Sequence, residues 1–266
     1  MVTRCALALL LAWPAMATHD TDGPVTDYSA YTLRAWETRV GPGRLELGLT
    51  DTINVGLLDW FFLLGVRNVH GKWRVLDGDN WAASLELGVA NFNAQRLSDG
   101  NTDAQIWIIP FEAMGTWRKN AFSYNFGLGY TLVRTVAGVE TEQDTEAAAA
   151  LDVSVGYVHP SVEWRLGPVF ALVLESRIGL FQQGSADGKT EFTTEDGRTT
   201  VEVFANADAD LSGGASLVNA SLSGMWSWNH FNLRAGLGYG HYSLPGIDLF
   251  IPVAIPYPEL ALFWRF

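Results

Sequence analysis

The sequence predicts an all-β fold: one transmembrane, antiparallel, up-and-down β-barrel of about twelve strands, with ten as the competing count. Three observations predict it. Side chains alternate between large apolar and small or polar over many segments. In Phe122-Tyr124-Phe126-Leu128-Tyr130-Leu132, for example, the intervening residues are Ser123, Asn125, Gly127, Gly129 and Thr131. A helix would mix those sets on every face, whereas a strand separates them. Connections fall into a tight class and a mostly long, polar class that alternate along the chain, as in a membrane barrel. Six tryptophans, Trp81, Trp117, Trp164, Trp226, Trp228 and Trp264, lie within a few residues of a tight turn or of Phe266, where they would form one membrane-interface girdle. The polar face is mostly Gly, Ser and Asn, which suits a barrel interior better than the charged solvent face of a soluble sandwich.

From the N-terminus, residues 1–17 read as an export signal: Arg4, an apolar core Cys5–Trp13, then Ala15-Met16-Ala17 as cleavage site. That core is shorter than the roughly 20 residues of a membrane-spanning helix. Cys5 is the only cysteine and leaves with the signal, so no disulfide framework is expected. Residues 18–30 form a periplasmic segment and 31–266 the barrel. The expected strands are 31–40, 44–50, 53–64, 69–76, 81–92, 103–117, 121–135, 148–165, 169–182, 214–228, 231–243 and 257–266. The alternation changes phase between Tyr157 and Val162, which predicts a bulge around Pro160. The long connections are 93–102, 136–148, 183–213 and 244–257. Within the third, Glu191–Phe204 reads as a hairpin extending the wall outward. The proline-punctuated stretch 245–258 would either plug the lumen or rest on the membrane surface.

Composition excludes several classes. The chain is 48% hydrophobic, yet its longest apolar runs are interrupted by Asp59 and by Pro252, Pro256 and Pro258, so no transmembrane helix is expected. A formal charge of −12 argues against nucleic-acid binding, which needs a basic surface. No phosphate loop, zinc-type spacing or nucleophile elbow occurs; no cofactor or metal is expected, and a non-enzymatic role is favoured. Glu140, Glu142, Asp144 and Glu146, and the acidic residues between Asp187 and Asp210, read as solvated loop faces rather than cation sites.

The segment Leu260-Ala261-Leu262-Phe263-Trp264-Arg265-Phe266 places Leu260, Leu262, Trp264 and Phe266 at alternate positions. It resembles the C-terminal strand of Gram-negative outer-membrane β-barrel proteins, porin-like barrels included. The resemblance implies an outer-membrane location among lipid and lipopolysaccharide, and recognition of this strand by the barrel-assembly machinery. The hairpin Leu45–Gly56 is similar to the strand–turn–strand units of such barrels.

Two sets of residues carry chemistry. Charges predicted to face the lumen include Glu86, Glu112, Glu175, Arg177 and Arg234, with Arg34, Arg44, Glu46, Lys72, Arg74, Glu163 and Arg165. They read either as a solute pathway or as a sealed, salt-bridged interior. Separately, Gly240-His241-Tyr242-Ser243 is similar to the His-x-Ser element of outer-membrane lipid A deacylases and phospholipases, with His241 and Ser243 expected to face lipid. Asp248 and Glu259 are the nearby third members. Those families place Asn after the serine, whereas Leu244 and Pro245 follow here; an interfacial strand end supplying girdle residues is the alternative. Three functions follow: a narrow passive pore for small solutes, a structural or surface-interaction barrel, and a lipid-acyl hydrolase.

Overall fold

The computed structural model describes residues 28–93, 102–140, 145–193, 200–211, 217–228, 230–243 and 248–266. The expected export signal lies outside them. In chain order the elements are β1 (Thr38–Gly41), β2 (Arg44–Thr50), β3 (Ile53–Leu57), a one-turn helix α1 (Asp59–Leu63), β4 (Arg67–Asp77), β5 (Trp81–Asn93), β6 (Thr102–Lys119) and β7 (Phe122–Glu140). There follow β8 (Thr145–Arg165), β9 (Phe170–Thr193), β10 (Thr200–Asp210), β11 (Val218–Trp228), β12 (Phe231–Ser243) and β13 (Phe250–Arg265).

Twelve of these strands close a ring. Each of β1 to β9 pairs antiparallel with the next, β9 pairs β11, and β11, β12 and β13 follow in order. β13 returns to β1 through Val40↔Trp264 and Arg39↔Arg265. The backbones of Thr38 and Phe266 exchange two further hydrogen bonds, so the C-terminal phenylalanine helps close the barrel. The count is twelve, not ten. β10 stands outside the ring: it pairs with the far half of β9 from Gln183↔Asp210 to Thr193↔Thr200, while Phe170–Ile178 of the near half pairs β11. This is the expected outward hairpin, with longer arms than Glu191–Phe204.

The alternation sorts side chains inside from outside. On β11, Asn219, Ser221, Ser223, Met225 and Ser227 are buried, and Leu222 between them is 56% exposed. Leu87, Phe126, Leu174 and Leu237 are likewise exposed large hydrophobics on other strands. A water-soluble protein buries such residues; an apolar outer band around a polar interior fits a lipid surround. Tight connections gather at one end of the ring (the turn end), at residues 51–52, 78–80, 120–121 and 166–169. Near that end the aromatics form an outer row: Trp117 stacks on Tyr124 at 5.5 Å, Phe122 on Trp164 at 5.7 Å, Trp228 on Phe231 at 5.4 Å, and Phe231 meets Trp264 at 5.3 Å. Trp81 is the register partner of Trp117, and Trp226 packs on Phe170.

Several boundaries differ from expectation, each for a physical reason. The first barrel strand starts at Thr38 rather than 31, because residues 28–35 run inside the ring. The strand expected over 53–64 stops at Leu57; Asp59 accepts the Gly43 N–H at 2.6 Å, and α1 turns Phe61 into the interior, where it is 2% exposed. β7, β8, β9 and β13 run further than expected into residues assigned to loops. The bulge expected around Pro160 is absent there: Pro160 pairs Phe126 in an unbroken β7–β8 register, and the shift lies at Gly156/Tyr157 against β9. β8 keeps one parity throughout, with Val153, Val155, Tyr157, His159, Ser161 and Glu163 all buried. The apparent phase change reflects an interior that turns apolar toward the loop end.

Glycines face the largest inward rings. Gly129 is the register partner of Tyr157 and Gly238 of Tyr257, and a methyl at either glycine would collide with the phenol ring.

Candidate functional site

The lumen is layered. At the turn end it is filled by hydrogen-bonded small residues and by the chain's own N-terminal segment. Thr116 Oγ1 donates to Asn125 Oδ1 at 2.8 Å, and Asn125 Nδ2 to Ser161 Oγ at 3.1 Å. Into this lattice the segment inserts its backbone: Ala30 N–H donates to Thr116 Oγ1 (2.7 Å), Leu33 N–H to Asn54 Oδ1 (2.9 Å) and Ala35 N–H to Asp51 Oδ1 (2.9 Å). Lys72 Nζ donates to the Ser29 carbonyl, and Ala30 packs on Ala82 and Met114. A backbone that finds partners for its N–H groups inside the ring lies at no polar cost there.

At the loop end the lumen is capped by apolar side chains. Phe61 from α1, Phe250 from the start of β13 and Leu217 meet Val153, Val155 and Ile108 from the wall. Gln182 fixes Phe250 by accepting its N–H at 3.0 Å, and Asp248 takes a positive φ of 59° as the chain turns inward. Of the 244–257 connection, Asp248 and Phe250 therefore turn into the lumen, whereas residues 250–257 extend the β13 wall.

Between cap and segment lies a cavity of about 440 Å³. All five residues singled out as lumen-lining, Glu86, Glu112, Glu175, Arg177 and Arg234, border it. They are joined in ion pairs. Glu175 accepts from His159 Nε2 at 2.9 Å and from Arg234 Nη2 at 2.7 Å, and Arg234 also reaches Glu259 at 2.6 Å. Arg177 meets Asp248 at 2.6 Å. Glu86 and Glu112 are directly opposed on β5 and β6, an arrangement that is repulsive alone. Each has a basic neighbour, Arg44 at 3.3 Å from Glu86 and His159 at 3.5 Å from Glu112, and each neighbour is shared with a second carboxylate. Buried pairs of this kind hold one geometry because removing either partner strands the other.

Sequence reasoning missed Arg39, His70, Tyr157, His159, Tyr257 and Tyr28. His70 shares the parity of Lys72 and Arg74 on β4 and was legible from it; it meets Glu46 at 3.2 Å. His159 was hidden by the supposed phase change, and Tyr28, whose ring lies 4.6 Å from that of His159, precedes any strand pattern.

The lipid-facing His-x-Ser pair is corrected. Gly240 has φ +128°, and the β12–β13 register shifts between His241 and Ser243. The shift turns Ser243 into the lumen, where it is 8% exposed and its Oγ accepts from Arg177 Nη1 at 3.0 Å. His241 does not border the cavity, and Asp248 is committed to Arg177, Thr131 and Tyr157. No outward hydrolytic dyad forms. Among the described residues there is also no metal-holding cluster.

A closed antiparallel ring, apolar outside and polar inside, defines a transmembrane β-barrel of the outer-membrane type. Among solved structures the chain is similar to the translocator domain of autotransporter NalP from Neisseria meningitidis, at 13% identity over 86% of both chains with a TM-score of 0.32. It is also similar to the ferric yersiniabactin uptake receptor FyuA from Yersinia pestis, at 12% identity over 84% of this chain and 33% of that one, with a TM-score of 0.36. Likeness at this level assigns no function. No protein-family profile and no curated protein sequence matches the chain.

Proposed function

We propose that the chain is an integral outer-membrane barrel that admits a small solute to its central chamber, as a gated narrow passage rather than a standing pore. The tight turns face the periplasm and the long connections the cell exterior, the usual disposition of such barrels. The observation that carries the reading is the charged cavity itself: a purely structural barrel has no need of about 440 Å³ of space ringed by ion pairs, and that volume is typical of a small-molecule site. The axial gate is the segment Tyr28–Arg34 on the periplasmic side, held by backbone hydrogen bonds, with the apolar cap on the other. The C-terminal strand serves as the mark for the barrel-assembly machinery.

Single-channel recording in planar bilayers tests this. The full chain is expected to stay mostly closed, and a chain lacking residues 18–35 to show frequent small openings. A truncated barrel that migrates as folded yet stays silent would leave the structural reading. One observation favours surface interaction as the second reading: β9 and β10 carry a paired hairpin beyond the ring.

A further inference from the structure

The ring is not equally tall all round. β1, β2 and β3 have 4, 7 and 5 residues, whereas β6 to β9 have 18 to 24. A strand crossing the apolar layer needs roughly 9–11 residues, so three adjacent strands stop short of a full span. β13 borders this low stretch. Among the described residues, its Phe250–Ala261 portion pairs only with β12.

The central chamber reaches the residues that flank that gap. On β13, Tyr257, Glu259 and Ala261 have inward parity, and Pro258 and Leu260 outward parity. Pro258 and Leu260 nevertheless border the same cavity, as do Pro42 and Gly43 in the β1–β2 turn. Phe111, outward on the fully paired β6, borders the cavity too, so it is the short strands beside β13 that make this side the opening. Leu260 is 76% exposed there.

The chemistry of the edge selects the occupant. A free edge ordinarily recruits another strand. Here Pro256 and Pro258 share one parity and lie within the β12 ladder without shifting its register. Their missing N–H groups therefore face the gap, and an incoming strand would find those donors absent. What remains beside the gap is lipid. Leu260 is exposed on the β13 side, and Phe62 and Leu64 are exposed on α1, which follows β3. Just inside, Arg39 and Arg44 stand on one wall, and Tyr242, Tyr257 and the Arg234–Glu259 pair stand on the other. Arg44, paired to Glu46 and Glu86, still keeps 26% of its side chain exposed. A phosphate suits the arginine wall, and an ammonium suits the phenol rings and carboxylate.

We propose that the gap between β13 and β1–β3 is a side opening through which the zwitterionic head of a membrane phospholipid enters the chamber while its acyl chain stays in the bilayer. This rests on the solute reading for the chamber's purpose, and binding is measured apart from conductance. Folded protein in maltoside micelles is titrated with radiolabelled palmitoyl-lysophosphatidylcholine. Saturable binding is expected, weakened tenfold or more by Ala261→Trp, which puts an indole in the opening, and by Arg44→Gln. Leu128→Trp, outward on β7, should leave it unchanged. Palmitate, lacking the ammonium, should bind at least tenfold more weakly. Should Ala261→Trp fail to migrate as a folded barrel, Leu260→Trp on the lip carries the same expectation. No saturable binding, undiminished binding in the folded opening variants, equal loss in Leu128→Trp, or equal binding of palmitate each overturns the proposal. Binding retained while the truncated chain stays electrically silent sinks the axial passage and leaves the side opening standing.

Discussion

Glu175 shows how much of the interior hangs on single side chains. It joins His159 and Arg234 at 2.9 and 2.7 Å, and Arg234 links it on to Glu259. Glu175→Gln removes the carboxylate that His159 and Arg234 share and leaves them Glu112 and Glu259 alone, a loss of up to about 3–5 kcal/mol by the usual cost of breaking a buried pair. Urea unfolding followed by tryptophan fluorescence reads it, and replacing both partners in Glu175→Gln/Arg234→Met should recover part of the loss. A steric case is Gly129, whose added methyl would strike the Tyr157 ring. Gly129→Ala is expected to cost about 1–3 kcal/mol through overpacking. Gly138→Ala, where an added methyl meets nothing within 4 Å, should be close to neutral. Equal effects of the two alanines would mean that the Tyr157 ring is not held where it lies.

At the scale of elements, what the sequence disclosed follows the surface each strand meets. The outer faces of β5, β7, β9 and β11 are mostly apolar, so their alternation is plain and β5 and β11 came within a few residues of the expected spans, whereas β7 and β9 run on past the expected ends. The inner face is not uniform. Small polar residues line the turn end, whereas Val153, Val155 and Tyr157 line the loop end beneath Phe61 and Phe250. A rule that equates apolar with outside therefore misreads β8 and hides His159. The segment Tyr28–Arg34 is invisible to periodicity for a different reason: its contacts come from backbone N–H groups and from single side chains such as Tyr28 and Ala30, with no alternating face. α1 lay inside an apolar run that strand and helix could claim equally. The β9–β10 arms, by contrast, stand clear of the lumen. Replacing residues 186–207 by Asn-Gly, between the register partners Ser185 and Asp208, should leave the barrel folding and its heat-dependent gel shift intact. Loss of the folded species would show that the hairpin is part of the barrel's own stability.

For the whole molecule, the exterior decides the solvent. Leu174 and Leu222 are register partners on β9 and β11, 55% and 56% exposed, and flanked by further outward hydrophobics. In water, a substitution at an exposed site away from special features changes stability by about 0.5 kcal/mol or less. Against lipid, an arginine near the midplane of a barrel wall costs roughly 2–4 kcal/mol, and less toward the interfaces. Leu222→Arg and Leu174→Arg, each folded from urea into phosphatidylcholine vesicles, should therefore lose stability on that larger scale. The inward Ser223→Ala, on the neighbouring position of the same strand, removes the hydroxyl that accepts from Arg234, a guanidinium that keeps Glu175 and Glu259, and should lose about 1–2 kcal/mol. That ordering, outward worse than inward, is the reverse of what a water-soluble protein gives, because here the uniform phase lies outside the ring and the tailored one within it. If both leucine variants fold as readily as the parent, the band they belong to does not meet lipid. The side opening at β13 would then face water, where a phospholipid has no reason to enter it.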